Sequence, residues 1–274
     1  MFNTKHLKKH LAIFLLFVST ISFAACHRMH ISMDNDLQLI KEKTFNIAPG
    51  KNLSVKISSG DVIVTSWDKA EVNVKIRGNE NALDKMEFKL EGNEEMVEVI
   101  GEKKSSVSSW FSNVRVEIEI KVPAEFNVNV NTSGGDIKYG GVSGNAELNT
   151  SGGDVWGEKF GKSLNISTSG GDISLIGGET KINAETSGGD IKLDYNGENK
   201  GIGLSTSGGD IAIKLPEDFK ASIELSTSGG DVSCSLKLSN VEKLSDTKLI
   251  GDLNDGGEKL SAHTSGGDIT VTRR

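Results

Sequence analysis

The sequence predicts an all-β protein, a parallel β-solenoid of right-handed β-helix type with rungs of about 18 residues, on three observations. First, Thr-Ser-Gly-Gly-Asp recurs seven times, beginning at Thr132, Thr150, Thr168, Thr186, Thr206, Thr227 and Thr264, so the copies lie 18, 18, 18, 20, 21 and 37 residues apart. A fixed period of this length marks one supersecondary unit stacked on itself. Second, apolar residues alternate on both sides of each copy, as in Val128-x-Val130 before it and Ile173-x-Leu175 after it. Third, glycine pairs and Asn196-Gly197 supply turns between the extended runs, where glycine offers the positive φ that tight turns use.

An antiparallel meander also satisfies the alternation. It leaves equivalent residues two strands apart, with no reason for Thr and Asp to be identical in every copy. A solenoid makes them direct neighbours about 4.8 Å apart. There an internal column of threonine hydroxyls can hydrogen-bond from rung to rung, so the solenoid is the expectation.

Residues 1–26 read as a targeting segment. Lys5, Lys8 and Lys9 precede Leu11–Ala25, a run without charge that falls short of the roughly 20 apolar residues of a membrane span. The run ends Phe23-Ala24-Ala25-Cys26, similar to a bacterial lipobox in which Cys26 is lipidated, although Phe stands where Leu is usual. Ordinary signal-peptide cleavage after Ala24 is the competing reading. Both imply export, and His27 after the cysteine, in place of Asp, favours the outer membrane in a Gram-negative cell.

Residues 27–44 carry no periodicity and read as a tether. Residues 45–130 form an N-terminal β region or cap that includes a first rung: Leu53, Val55 and Ile57 precede Ser59-Gly60-Asp61, and Val62 and Val64 follow. The rest of this region reads either as irregular opening rungs or as a small β-sandwich that covers an end of the stack. Its segment from Gly101 to Asn113 ends in Trp110-Phe111, which is either an exposed contact for sugar, lipid or a partner, or a cover over the cap. Residues 131–274 are the repeat array. The doubled interval between Asp231 and Asp268 reads as one degenerate rung or a long loop, and Arg273-Arg274 as a guard on the final edge.

The turn aspartates are Asp61, Asp136, Asp154, Asp172, Asp190, Asp210, Asp231 and Asp268. Stacked like charges repel, so each carboxylate is expected to accept bonds from turn amides and a serine hydroxyl. A calcium-binding β-roll is the alternative, but Ser-Gly-Gly-Asp-Ile lacks the second acceptor half of that motif.

Removing residues 1–26 takes away three lysines and takes the formal charge from −7 to −10, which argues against nucleic acid as partner. Cys234 reads as a buried free thiol, so no disulfide framework is expected. No His-Asp-Ser set and no His/Cys metal spacing can be assembled, so neither enzyme activity, cofactor nor metal is expected. His263 falls on the parity opposite to Ala262 and Thr264.

The Ser-Gly-Asp-Ile/Val turns, the opening Phe45-x-Ile47-x-Pro49-Gly50 and the strand ending Val122-Pro123 resemble the bacterial putative-adhesin family of unknown function, over about 45–274. More distantly, they resemble the adhesin-like head domains of Bacteroidetes. The resemblance implies a β-solenoid on an exported or membrane-anchored protein and offers no catalytic residues. The functional expectation is a non-enzymatic cell-envelope lipoprotein, held to the membrane by its N-terminal lipid, that presents a surface to an envelope glycan or protein. The alternatives are a self-assembling scaffold, a calcium-binding β-roll and a polysaccharide-active enzyme.

Overall fold

The computed structural model describes residues 37–104 and 113–274. The expected Cys26, Trp110 and Phe111 lie outside the described residues. The N-terminal part runs β1 (Gln38–Asn46), β2 (Asn52–Ile57), β3 (Asp61–Trp67), β4 (Glu71–Gly78), helix α1 (Glu80–Lys85), β5 (Met86–Gly92), β6 (Met96–Lys103) and β7 (Val116–Pro123). The repeats then give strand pairs, each split by a Ser-Gly-Gly turn. These are β8/β9 (Asn127–Thr132, Ile137–Gly140), β10/β11 (Asn145–Asn149, Val155–Glu158), β12/β13 (Ser163–Ser167, Ile173–Gly177), β14/β15 (Lys181–Glu185, Ile191–Tyr195), β16/β17 (Ile202–Ser205, Ile211–Leu215) and β18/β19 (Ala221–Thr227, Val232–Cys234). A hairpin, β20 (Leu238–Ser245) and β21 (Lys248–Leu253), precedes the last pair, β22/β23 (Lys259–Thr264, Ile269–Arg273).

The fold is all-β, with two large mixed sheets. One has eleven strands in the order β1-β4-β7-β3-β9-β11-β13-β15-β17-β23-β19, the other twelve in the order β20-β21-β18-β22-β16-β14-β12-β10-β8-β2-β6-β5. Neighbouring repeat strands pair in parallel with like residues opposed, as Val155↔Ile173↔Ile191↔Ile211. Antiparallel pairs close the flanks: β1–β4, β4–β7 and β5–β6 on one, β18–β21 and β20–β21 on the other.

The core lies between the sheets and is built by the alternation. Leu164, Ile166, Ile182, Ala184, Ile173 and Ile191 are all buried, and so are the seven repeat threonines. Thr168 donates from Oγ1 to the Gly153 carbonyl (3.0 Å) and accepts from the Gly171 amide (3.3 Å). The threonine hydroxyls therefore bond from rung to rung, with a glycine carbonyl of the neighbouring turn as the acceptor.

The role of the glycine pair is different from the expectation. None of the repeat turn glycines has positive φ; Gly197, in the Asn196-Gly197 turn, does (φ +91). The second glycine of each repeat turn is demanded by close backbone approach: a Cβ on Gly153 would sit 2.0 Å from the Gly135 oxygen, and one on Gly171 1.9 Å from the Gly153 oxygen. A Cβ on Gly152 would meet nothing within 4 Å.

Further corrections concern the two ends of the stack. The segment expected as a tether to residue 44 is a strand from Gln38 onward, paired with β4 from Gln38↔Gly78 to Asn46↔Glu71. The first rung, β2/β3, does not begin the stack; it lies between β6/β7 and β8/β9. The doubled interval is neither a degenerate rung nor a loop but the β20–β21 hairpin. The last rung is internal, between β16/β17 and β18/β19, so Arg273 and Arg274 guard no final edge. Arg274 instead pairs with Asp194 (2.5 Å) and Arg273 with Glu217 (2.9 Å). Cys234 is half-buried on edge strand β19, not fully in the core, and burial pushes its thiol pKa up.

Candidate binding face

The seven Ser-Gly-Gly turns and the Ser59-Gly60 turn place the eight aspartates in one row. Every carboxylate but that of Asp231, at the end of the row, accepts from the amide of the neighbouring aspartate: Asp136 donates to Asp61 (2.9 Å), Asp154 to Asp136 (2.9 Å), Asp172 to Asp154 (2.8 Å) and Asp190 to Asp172 (2.8 Å). The row continues from Asp210 to Asp190 (2.9 Å), Asp268 to Asp210 (2.8 Å) and Asp231 to Asp268 (2.8 Å). The expected turn-amide partner is thus the next aspartate's own amide. Charge-assisted bonds of this kind contribute about 1.5–3 kcal/mol. Repulsion between exposed carboxylates one rung apart costs only about 1 kcal/mol in water-like dielectric. The bond wins, and the row is a structural seam. Among the described residues, no group of three or more His, Cys, Asp or Glu is placed to hold a metal ion.

The outward positions of the second sheet make a different surface. Inward Val128, Val130, Leu164 and Ile166 force the intervening residues out, and those are amides and hydroxyls. Ser54↔Asn129↔Glu147↔Asn165↔Asn183 form one row across five strands, and Lys56↔Asn131↔Asn149↔Ser167↔Glu185 the next. The side chains are tied from strand to strand along the stack, and Asn129 donates forward to Glu147 (2.9 Å). Asn127 donates to Asn52 (3.3 Å), Asn145 to Asn127 (3.3 Å), Ser163 to Asn145 (2.8 Å), Asn149 to Asn131 (3.1 Å) and Asn183 to Asn165 (3.0 Å). The Asn127 amide is fully engaged, whereas Asn165 and Asn183 keep donor or acceptor capacity beyond their mutual bond.

Three depressions lie along this face. The widest, about 690 Å³, is lined by Asn52, Ser54, Asn127, Asn129, Asn145 and Asn165 among others. A second, about 430 Å³, is bordered by Lys56, Asn131, Ser133, Asn149 and Ser151. The third, about 460 Å³, holds Asn183, Glu185, Ser205, Ser226, Ser261 and His263. His263 is exposed here, as its parity predicts, with Nδ1 3.1 Å from Ser226 Oγ. That pair does not form a triad with the nearby Glu224, whose carboxylate is engaged by Lys259 (2.8 Å) and Lys248 (3.5 Å). The arrangement presents a polar field of amides and hydroxyls interrupted by Lys56, Glu147, Glu185 and Glu224, and no activated nucleophile.

Sequence reasoning missed this face, although its signal was present: the polar positions of alternation in the four strands β8, β10, β12 and β14 carry Asn127, Asn129, Asn131, Asn145, Asn149, Asn165 and Asn183. Trp67 on β3 and Trp156 on β11 lie on the other sheet. The Trp67 indole donates to the Glu71 carbonyl (2.7 Å) and is covered by Lys69, and Trp156 is half-buried on the other sheet. Among the described residues, no helix is long and apolar enough to cross a membrane.

A stack of Thr-Ser-Gly-Gly-Asp units in two sheets defines a class of repetitive β-proteins. The particular family is Toastrack DUF4097, whose model matches residues 126–272, and the chain belongs to it. No curated protein matches the chain. Among solved structures it is similar to a putative cell adhesion protein from Clostridium sporogenes (15% identity, 86% of this chain and 100% of that one, TM-score 0.41). It is also similar to a putative adhesin from Bacteroides fragilis (14%, 86% and 97%, TM-score 0.44) and a putative lipid binding protein from Parabacteroides distasonis (14%, 85% and 96%, TM-score 0.28).

Proposed function

We propose that this chain is a non-enzymatic envelope lipoprotein whose repeat units form a parallel β-solenoid that binds a macromolecule of the cell envelope on its asparagine-rich face. In this reading residues 1–26 are a lipoprotein signal, Cys26 carries the lipid, and residues 27–37 connect it to the folded part. Residues 45–130 serve as cap and first rung, and 131–274 as the array. The aspartates Asp61 through Asp268 are structural, and Trp110-Phe111 is an accessory contact. In a Gram-negative cell the anchor is the outer membrane.

The observation that carries the reading is the in-register field of amides and hydroxyls across β2, β8, β10, β12 and β14. Paired amide and hydroxyl donors and acceptors, with Lys56, Glu147 and Glu185 scattered among them, suit a hydroxyl-rich chain such as an envelope glycan. They do not suit nucleic acid, which calls for clustered cations. The test is retention of the protein on purified peptidoglycan sacculi and on extracted envelope polysaccharide. Asn129→Glu with Asn165→Glu is expected to abolish retention while the fold persists; retention on neither material, or retention indifferent to the substitutions, sinks the reading. Labelled palmitate entering the wild type but not Cys26→Ala tests the anchor separately.

A further inference from the structure

Chain order and spatial order part company in the last three units. Strands β18 and β19 follow β16 and β17 in sequence but stand one rung beyond them, and β22/β23 fills the space between. On one side β22 pairs with β16 and β23 with β17; on the other they pair with β18 and β19. The bonds that seat this rung are those of every repeat. Thr264 Oγ1 donates to the Gly209 carbonyl (2.9 Å), and the Asp268 amide to Asp210 Oδ1 (2.8 Å). From the far side Thr227 Oγ1 donates to the Gly267 carbonyl (2.8 Å), and the Asp231 amide to Asp268 Oδ1 (2.8 Å). None of these bonds requires the rung to belong to the same copy. The connection into it, residues 254–258, contains Gly256 at φ +74 followed by Gly257.

We propose that the space between β16/β17 and β18/β19 is a donor-strand site, and that its partner is the C-terminal rung of a second copy of this chain. During folding the hairpin and β18/β19 precede the last rung along the chain, so the space stands open with four unpaired strand edges until Lys259–Arg273 arrives. Such edges are templates for strand addition. Exchange of an identical element preserves every native bond and costs only the entropy of association, which high local concentration offsets. A copy that donates its rung still has its own space to fill, so exchange either closes a dimer or propagates a chain. This inference is independent of the ligand reading above.

The test uses the full chain with Cys26→Ser and Cys234→Ser. Ser233 and Thr270 are register partners across β19 and β23, with hydroxyls 3.4 Å apart. Copies carrying S233C and copies carrying T270C are refolded together from urea at high concentration and mildly oxidised. A disulfide-linked dimer is expected at five-fold or more over the S233C and K56C pair, whose positions lie on different sheets. Intrachain closure in the S233C/T270C double variant, with the mixed pair no higher than that control, overturns the proposal. Independently of the cysteines, the unaltered chain refolded at rising concentration is expected to sediment partly as dimer or larger; a strict monomer throughout overturns the proposal whatever the cross-links show.

Discussion

The backbone amide of Asp172 donates to Oδ1 of Asp154 at 2.8 Å, and Asp172 in turn accepts from Asp190 at the same distance. Each of these carboxylates is therefore the hydrogen-bond acceptor of the next rung, and charge is tolerated as the by-product of a good acceptor. Asp172→Asn keeps an acceptor and removes one charge, so stability is expected to hold or rise at low salt. Asp172→Ala deletes the bond and is expected to cost about 1–2 kcal/mol. Urea unfolding distinguishes them; equal losses contradict the account.

The glycine pair divides sharply. Gly153→Ala drives a Cβ to 2.0 Å from a backbone oxygen, which nothing flexible can relieve, and is expected to cost about 3 kcal/mol or more. Gly152→Ala meets open space and is expected to be neutral or to stabilise by about 0.4–1 kcal/mol through the unfolded chain. Thermal melts of the two variants decide; similar behaviour at both positions refutes the close-approach explanation.

Thr168→Val preserves shape but strands the Gly153 carbonyl and the Gly171 amide in the interior. A loss of about 2 kcal/mol is expected, with Thr168→Ser losing less because it keeps the hydroxyl. A valine variant as stable as wild type would show that the buried threonines serve packing alone.

Amide hydrogen exchange reads the position of the last rung. Strands β22 and β23 lie inside their sheets, whereas β19 and β20 are edges. The C-terminal amides are therefore expected to be protected like those of β12 and β13, and β20 to exchange first. Fraying that starts from residue 274 contradicts the inserted order.

Lys259, and after it Lys248, hold the Glu224 carboxyl below the usual carboxylate range, tying β18 to the last rung and to the hairpin. A depressed folded-state pKa contributes stability above the ordinary value, and that contribution is lost as pH falls through the folded one. Glu224→Gln is expected to flatten this part of the acid dependence in urea titrations. The effect is small and shrinks with added salt, because the pair is exposed. An unchanged acid profile removes Glu224 from the account.

The pentapeptide made the stacked threonines and aspartates legible before any coordinates, because identical residues at fixed spacing have a reason to be identical only when they are neighbours. Rung order was not legible. Repeat edges are chemically interchangeable, so Ile211 opposes Ile269 as readily as it would oppose Val232, and nothing local records the choice. The binding face was half legible: Asn129 and Asn165 stood at outward parity, but their junction into one row needed the register.

By itself the sequence determined the all-β class and the inward set of residues, since these rest on alternation and turn chemistry along the chain. Only the tertiary structure decided that β2/β3 and β22/β23 slip between rungs that are not their chain neighbours, and that second glycines are required by proximity and not by torsion. Both depend on which backbones meet across space, which no local pattern encodes.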